Sequence, residues 1–88
     1  MNTEIREFII SEVRNMCAKR NMTLPEEIGD SYSLLTDANL DSVDFFDLLV
    51  ALETKFGVFC DFGDTDPEVF YTVGGLTECM DRTLKNKR

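Results

Sequence analysis

Asp41-Ser42-Val43-Asp44-Phe45-Phe46-Asp47-Leu48-Leu49-Val50-Ala51-Leu52-Glu53-Thr54-Lys55-Phe56-Gly57 is the stretch that decides the fold class. Asp41 or Ser42 offers an oxygen cap, apolar residues recur at helical spacing, and Gly57 offers a stop. The pattern predicts a helix running to about Phe56, roughly 22 Å long at about 1.5 Å per residue. Its polar strip is narrow: Asp44, Asp47, Ala51, Thr54 and Lys55. Phe45, Leu49, Leu52 and Phe56 lie opposite, with Val43, Phe46 and Val50 on one flank and Leu48 on the other. That is more apolar surface than one core contact needs. Periodicity alone leaves two readings open. The helix is central and packed on two sides, or Val43, Phe46 and Val50, bordered by Asp47 and Glu53, stay partly exposed for a partner.

Upstream, Thr3 with Glu4 and Glu7 opens a first helix, an oxygen cap followed by acids in the first turn. Ile5, Phe8, Ile9, Val13, Met16 and Cys17 form its apolar stripe, and Lys19 and Arg20 suit its C-terminal end. Asn21 to Asp41 reads as a long connection, broken by Pro25, Gly29, Asp30 and Ser31. Leu24, Ile28, Leu34, Leu35 and Leu40 recur through it, so it is expected to be pinned to the core. Loops this long in small domains tend to be functional.

Downstream, Val58 to Phe62 could pass for a strand, but a lone strand has nothing to pair with, and an extended connector is expected. Asp66-Pro67-Glu68 starts a short helix reaching Val69-Phe70. Thr72 caps a last helix with Val73, Leu76, Met80 and Leu84 at helical spacing. Gly74 and Gly75 in its opening turn each cost about 1 kcal/mol in helix propensity, and close approach of a neighbouring helix would account for them. Few apolar anchors are evident there, so hydrogen exchange is expected to be fastest at about residues 62–76. The elements make an all-α fold, a small antiparallel four-helix bundle of three main helices and one short one, with a long first loop.

At 88 residues the chain has room for one core, and a single domain over 1–88 is expected, with a basic tail at 82–88. A monomer is expected. No apolar run approaches the roughly 18 residues of a membrane span. The start, Met1-Asn2-Thr3-Glu4, lacks the basic and apolar regions of a signal peptide, so a cytoplasmic location is expected. Cys17, Cys60 and Cys79 are far apart and odd in number, which suggests neither a disulfide framework nor a zinc site but free, buried or half-buried thiols.

There is no histidine, which removes Ser-His and Cys-His nucleophile pairs and imidazole metal ligands. Acids are plentiful, yet nothing marks two of them as a pair in a cleft, so enzymatic activity is not expected. The charge is uneven. Asn21 to Asp81 carries 14 acids against Lys55 alone, and the whole chain has net charge −8. Nucleic acid would be repelled, whereas partners with basic patches would be attracted at long range. The same acids would also serve simply to keep a small domain in solution. Asp37, Asn39 and Asp41 match three ligand positions of a calcium-binding loop, but Ser42 stands where that loop needs Gly and Leu48 where it needs Glu. No metal site is expected.

Ser42 is the residue of chemical interest. It sits at the first turn of a helix, after a loop and beside an acid, where free backbone N–H groups and the positive end of the helix dipole favour an attached phosphodiester. On spacing alone, plain capping by Asp41 and Ser42 explains the same pattern.

The segment Asp41-Ser42-Val43-Asp44, continuing as Phe45-Phe46-Asp47-Leu48-Leu49-Val50-Ala51-Leu52-Glu53 and closing on Lys55-Phe56-Gly57-Val58, resembles the acyl carrier protein family. Thr72-Val73-Gly74-Gly75-Leu76 resembles that family's last helix opening, so the likeness covers nearly the whole chain. The resemblance implies a 4'-phosphopantetheine arm transferred from coenzyme A to Ser42 by a phosphopantetheinyl transferase, with Asp41 in the recognition motif. The arm's thiol would carry an acyl or aminoacyl group as a thioester for enzymes of a fatty-acid, polyketide or specialised biosynthetic pathway. Val43, Asp44, Phe46, Asp47, Val50 and Glu53 would form the docking face for loading and processing enzymes with basic patches. An aminoacyl or D-alanyl-type carrier, or an unmodified acidic helical interaction module, are the alternatives.

The chain departs from the family pattern at three places. Val43 replaces a more common Leu, and Asn39 stands where Gly is frequent, though Asn tolerates positive φ. Phe45 stands where a smaller residue is common and, if it points inward, would shorten or block the space for an acyl chain. With Phe59, Phe62 and Phe70 it suggests a specialised carrier.

Overall fold

A computed structural model describes residues 3–59 and 66–85 of the chain. They form an all-α bundle of α1 (Thr3–Ala18), α2 (Ser42–Phe56), α3 (Pro67–Phe70) and α4 (Val73–Lys85). Among the described residues the only β feature is one antiparallel bridge, Ser33 to Thr72. α1 packs against both α2 and α4, and α3 packs against α4.

The helix limits follow from local hydrogen bonding. Asp41 caps α2, and Gly57 ends it in the left-handed conformation at φ 77°, its N–H donating to the carbonyl of Glu53. Asp66 Oδ1 accepts from the Glu68 N–H to start α3, and Thr72 Oγ1 accepts from the Gly75 N–H to start α4. Thr3 lies inside α1 rather than capping it. α1 stops at Ala18 because Asn21 turns left-handed at φ 59°, and the N–H groups of Arg20 and Met22 then fold back on the Cys17 carbonyl. The segment read as a basic tail from residue 82 is helical through Lys85. Lys85 pairs with Asp81 one turn back at 3.0 Å, and the cations suit the negative end of α4.

Ile5, Ile9, Val13 and Cys17 of α1 meet Phe45, Leu48 and Leu52 of α2 and Val73, Leu76, Cys79 and Met80 of α4 in one buried core. Leu48, placed on a flank by the sequence pattern, is fully buried, while Leu49 is only half-buried. The inner face is therefore rotated from the predicted arc towards Leu48. The last helix holds more anchors than its spacing suggests. The expectation of easy opening loses its basis over 73–76, and residues 62–65 lie outside the described residues, as does Cys60. Cys17 and Cys79 are both buried.

The long first loop is bound on two sides, as its hydrophobic recurrence predicts. Ile28, Leu34, Ala38 and Leu40 are buried. From α1, the Arg6 side chain reaches Asp30 at 2.8 Å and the Ile28 carbonyl, and Arg14 donates to the carbonyls of Pro25 and Glu26 at 2.9 and 2.8 Å. On the other side the Leu34 N–H donates to the Tyr71 carbonyl, Val73 N–H to Tyr32, and Gly74 N–H to Asp30.

Both helical glycines owe their identity to close approach. A Cβ on Gly74 would lie 2.6 Å from the Asp30 Cβ, and one on Gly75 would lie 1.7 Å from the Val69 carbonyl oxygen. Only Gly75 faces a neighbouring helix, α3. The neighbour of Gly74 is the first loop.

Candidate functional site

Ser42 is the first helical residue of α2, and it is exposed. Capping is carried by its neighbour. Asp41 Oδ1 accepts from the Asp44 N–H at 2.8 Å, and Asp44 Oδ2 accepts from the Asp41 N–H at 3.3 Å, a reciprocal capping box. Asp41 therefore does the work that the sequence left divided between Asp41 and Ser42. By helix geometry the N–H groups of Ser42 and Val43 have no intrahelical carbonyl to bind. They add to the positive end of the helix dipole beside the hydroxyl.

The approach to Ser42 is held by a short hydrogen-bonded turn. Asp37 and Ala38 N–H groups donate to the Ser33 carbonyl at 2.9 and 3.0 Å, and the Ser33 N–H donates to Asp37 Oδ2 at 2.9 Å. Asn39 follows at φ 57°, the left-handed conformation that its side chain tolerates, and Leu40 then buries itself. Asp37 and Asp41 thus spend their carboxylates on backbone N–H groups. Among the described residues no three Cys, Asp or Glu side chains converge as metal ligands.

The residues expected to form a docking face separate into two groups. Val43, Phe46 and Val50 are 67%, 57% and 39% exposed, and Asp47 and Glu53 are exposed beside them. Asp44 is different. Its half-buried carboxylate pairs with the Arg20 guanidinium, just past the end of α1. Burial alone would push the Asp44 carboxyl up, but the Arg20 hydrogen bond and the Asp41 N–H outweigh it and hold the carboxyl below its ordinary range. Arg20 is correspondingly raised, chiefly by the hydrogen bond to Asp44. Burial raises the Cys17 thiol, against an opposing effect of Arg20.

Arg20 is the residue near the site that the sequence pattern missed. It reads as an ordinary helix-end cation, and its partner lies across the whole first loop, where no local spacing could reveal it.

A phosphopantetheine group fits these residues on three counts. Ser42 is exposed, its hydroxyl is not needed for the cap, and the helix end beside it favours a phosphodiester.

Comparison with known proteins finds acyl carrier proteins among the chain's relatives. It is 36% identical over 62 residues to the acyl carrier protein of Rhodopseudomonas palustris (strain TIE-1), covering 70% of this chain and 76% of that one. Identity and coverage are the same for the acyl carrier protein of Nitrobacter winogradskyi. Against that of Bradyrhizobium sp. (strain ORS 278), identity is 34% over the same coverage. The chain belongs to the acyl carrier protein family. No family profile and no solved structure matches it.

As a member of that family it is a carrier and not an enzyme. The all-helical bundle leaves one apolar flank of α2 exposed among the described residues. No described helix is long and apolar enough to cross a membrane.

Proposed function

We propose that Ser42 is the attachment point of a 4'-phosphopantetheine arm donated by coenzyme A through a phosphopantetheinyl transferase: the serine oxygen bonds the pantetheine-side phosphorus, the pyrophosphate P–O bond breaks, and adenosine bisphosphate and the hydroxyl proton leave. When bound, the arm supplies a thiol that holds an acyl or aminoacyl group as a thioester. The chain's own residues do three things. Asp41 caps α2 and forms part of the recognition motif, Ser42 supplies the acceptor oxygen, and the first turn of α2 provides a positive field for the phosphodiester. One observation carries this reading: Ser42 is exposed at the start of α2 while Asp41 alone satisfies the cap.

Val43, Phe46 and Val50, with Asp47 and Glu53, are proposed as the face that loading and processing enzymes dock on. Exposed apolar residues ringed by carboxylates suit partners with basic patches, where charge speeds encounter and apolar contact holds the complex. Asp44 contributes less than the other acids, because Arg20 already occupies it. The carrier is read as one domain over residues 1–88, a cytoplasmic monomer serving fatty-acid, polyketide or specialised biosynthesis.

The test is the intact mass after incubation with coenzyme A and a broad-specificity transferase, beside a Ser42→Ala control. One added phosphopantetheinyl group in the parent and none in the control is the expected result. An unchanged parent mass, with a transferase proven on another carrier, would point instead to an unmodified interaction module.

A further inference from the structure

Three aromatic rings cluster one turn from Ser42 along the chain of α2, with Phe45 buried and Phe70 and Tyr71 half-buried against it. Phe45 lies three residues beyond the serine, on a neighbouring position of the helix surface, and is 6% exposed. Its ring meets Tyr71 edge to face with centroids 4.8 Å apart, and Phe70 at 6.1 Å. Phe70 and Tyr71 pack on each other at 4.6 Å. The sequence left open which way Phe45 points; it points inward.

The segment that carries the other two rings is braced. The Tyr71 carbonyl accepts from the Leu34 N–H of the first loop at 2.7 Å. The Val69 carbonyl accepts from the Thr72 hydroxyl at 2.7 Å and sits directly against Gly75 of α4. Moving Phe70 and Tyr71 away from α2 would therefore break contacts to both the loop and α4.

An apolar chain tethered at Ser42 would gain by leaving water, and the space between α2 and residues 70–71 is the cover closest to hand. That space is taken by the three rings. Forcing methylenes into a packed interior strains side chains and backbone instead of gaining free burial. Building on the carrier reading, on which this rests, we propose that Phe45, Phe70 and Tyr71 determine cargo specificity by keeping an acyl chain out of the bundle. The carrier then takes short or compact acyl or aminoacyl groups, and leaves them outside the fold. Phe45 is the decisive member, since of the three rings it alone lies on α2, one turn from the serine.

The experiment loads Ser42 of the full chain from coenzyme A thioesters of two, six and ten carbons, in the parent, Phe45→Ala and Phe45→Leu. Intact mass establishes single loading, and melting temperature and thioester hydrolysis rate are then measured. A chain buried only in the native state stabilises it and shields the thioester. In the parent, Tm should vary by less than about 1 °C across the series and hydrolysis by less than about twofold. In Phe45→Ala, Tm should rise with chain length by roughly 4 °C or more, with hydrolysis slowed severalfold. Phe45→Leu, which keeps the site apolar and filled enough to fold, should show the same trend at smaller amplitude. A loaded parent that gains Tm with chain length overturns the inference alone, as does a flat response in both variants. An unchanged parent mass overturns the carrier reading and this inference with it.

Discussion

Phe45, Leu48 and Leu52 on one face of α2 keep 6% or less of their surface, whereas Val43, Phe46 and Val50 on the adjoining face keep between 39% and 67%. Both faces are apolar and both repeat at helical spacing. What separates them is what lies across: α1 and residues 70–71 cover the first, and among the described residues no helix packs on the second. The same chemistry therefore serves folding on one side and remains available for association on the other. A comparable division runs through the acids. Asp44 is drawn into the fold by Arg20, while Asp47 and Glu53 stay outside. Hydrophobicity and charge thus mark candidates, and packing assigns the role.

The sharpest way to break this contrast is to truncate each face in turn. Leu48→Ala, on the covered face, should lower the free energy of unfolding by about 2–5 kcal/mol, read from the midpoint of urea unfolding. A loss under about 1 kcal/mol would mean that α1 does not seal that face. For the acids, Asp44→Asn probes the inner member of the pair. The folded-state pKa of Asp44 is lowered, so its contribution is complete above the ordinary carboxylate range and is lost as pH falls through the folded value. The parent should be the more stable of the two near neutral pH, and the gap in Tm should close on acidification. A gap independent of pH would remove the ionic origin of the Arg20–Asp44 contact. The smallest effect on stability belongs to the open face. Phe46→Ala should change the unfolding free energy by no more than about 0.5 kcal/mol. The same change should raise the transferase KM for this carrier by roughly tenfold, equivalent to about 1.4 kcal/mol. An unaltered KM would show that docking uses another surface.

Much of the fold is legible in the chain. Asp41 and Gly57 bracket α2, Asp66 with Pro67 opens α3, and Thr72 opens α4, because each device acts through hydrogen bonds and sterics within about four residues. Asn39 at φ 57° shows the same legibility at a loop residue, where its side chain tolerates the turn that glycine often makes. The position of Ser42 at the head of α2, and the apolar flank of α2, are legible for the same reason. The assignment of the cap to Asp41 alone was not, since Asp and Ser are nearly equivalent caps and only the positions of their oxygens distinguish them.

By itself, then, the sequence determined where α2 begins and ends, where α3 and α4 begin, which serine stands at the head of α2, and which residues could form a docking face. Tertiary structure alone decided which apolar face is covered, that Leu48 faces inward, and that Phe45 joins Phe70 and Tyr71. It also decided that Arg20 meets Asp44 across the first loop, and that Gly74 is required by Asp30 and not by a helix. The reason is one of range. Caps and periodicity are properties of neighbouring residues, whereas the covering of α2, the Arg20–Asp44 pair and the approach of Asp30 to Gly74 join segments more than twenty residues apart, whose arrival no local pattern records.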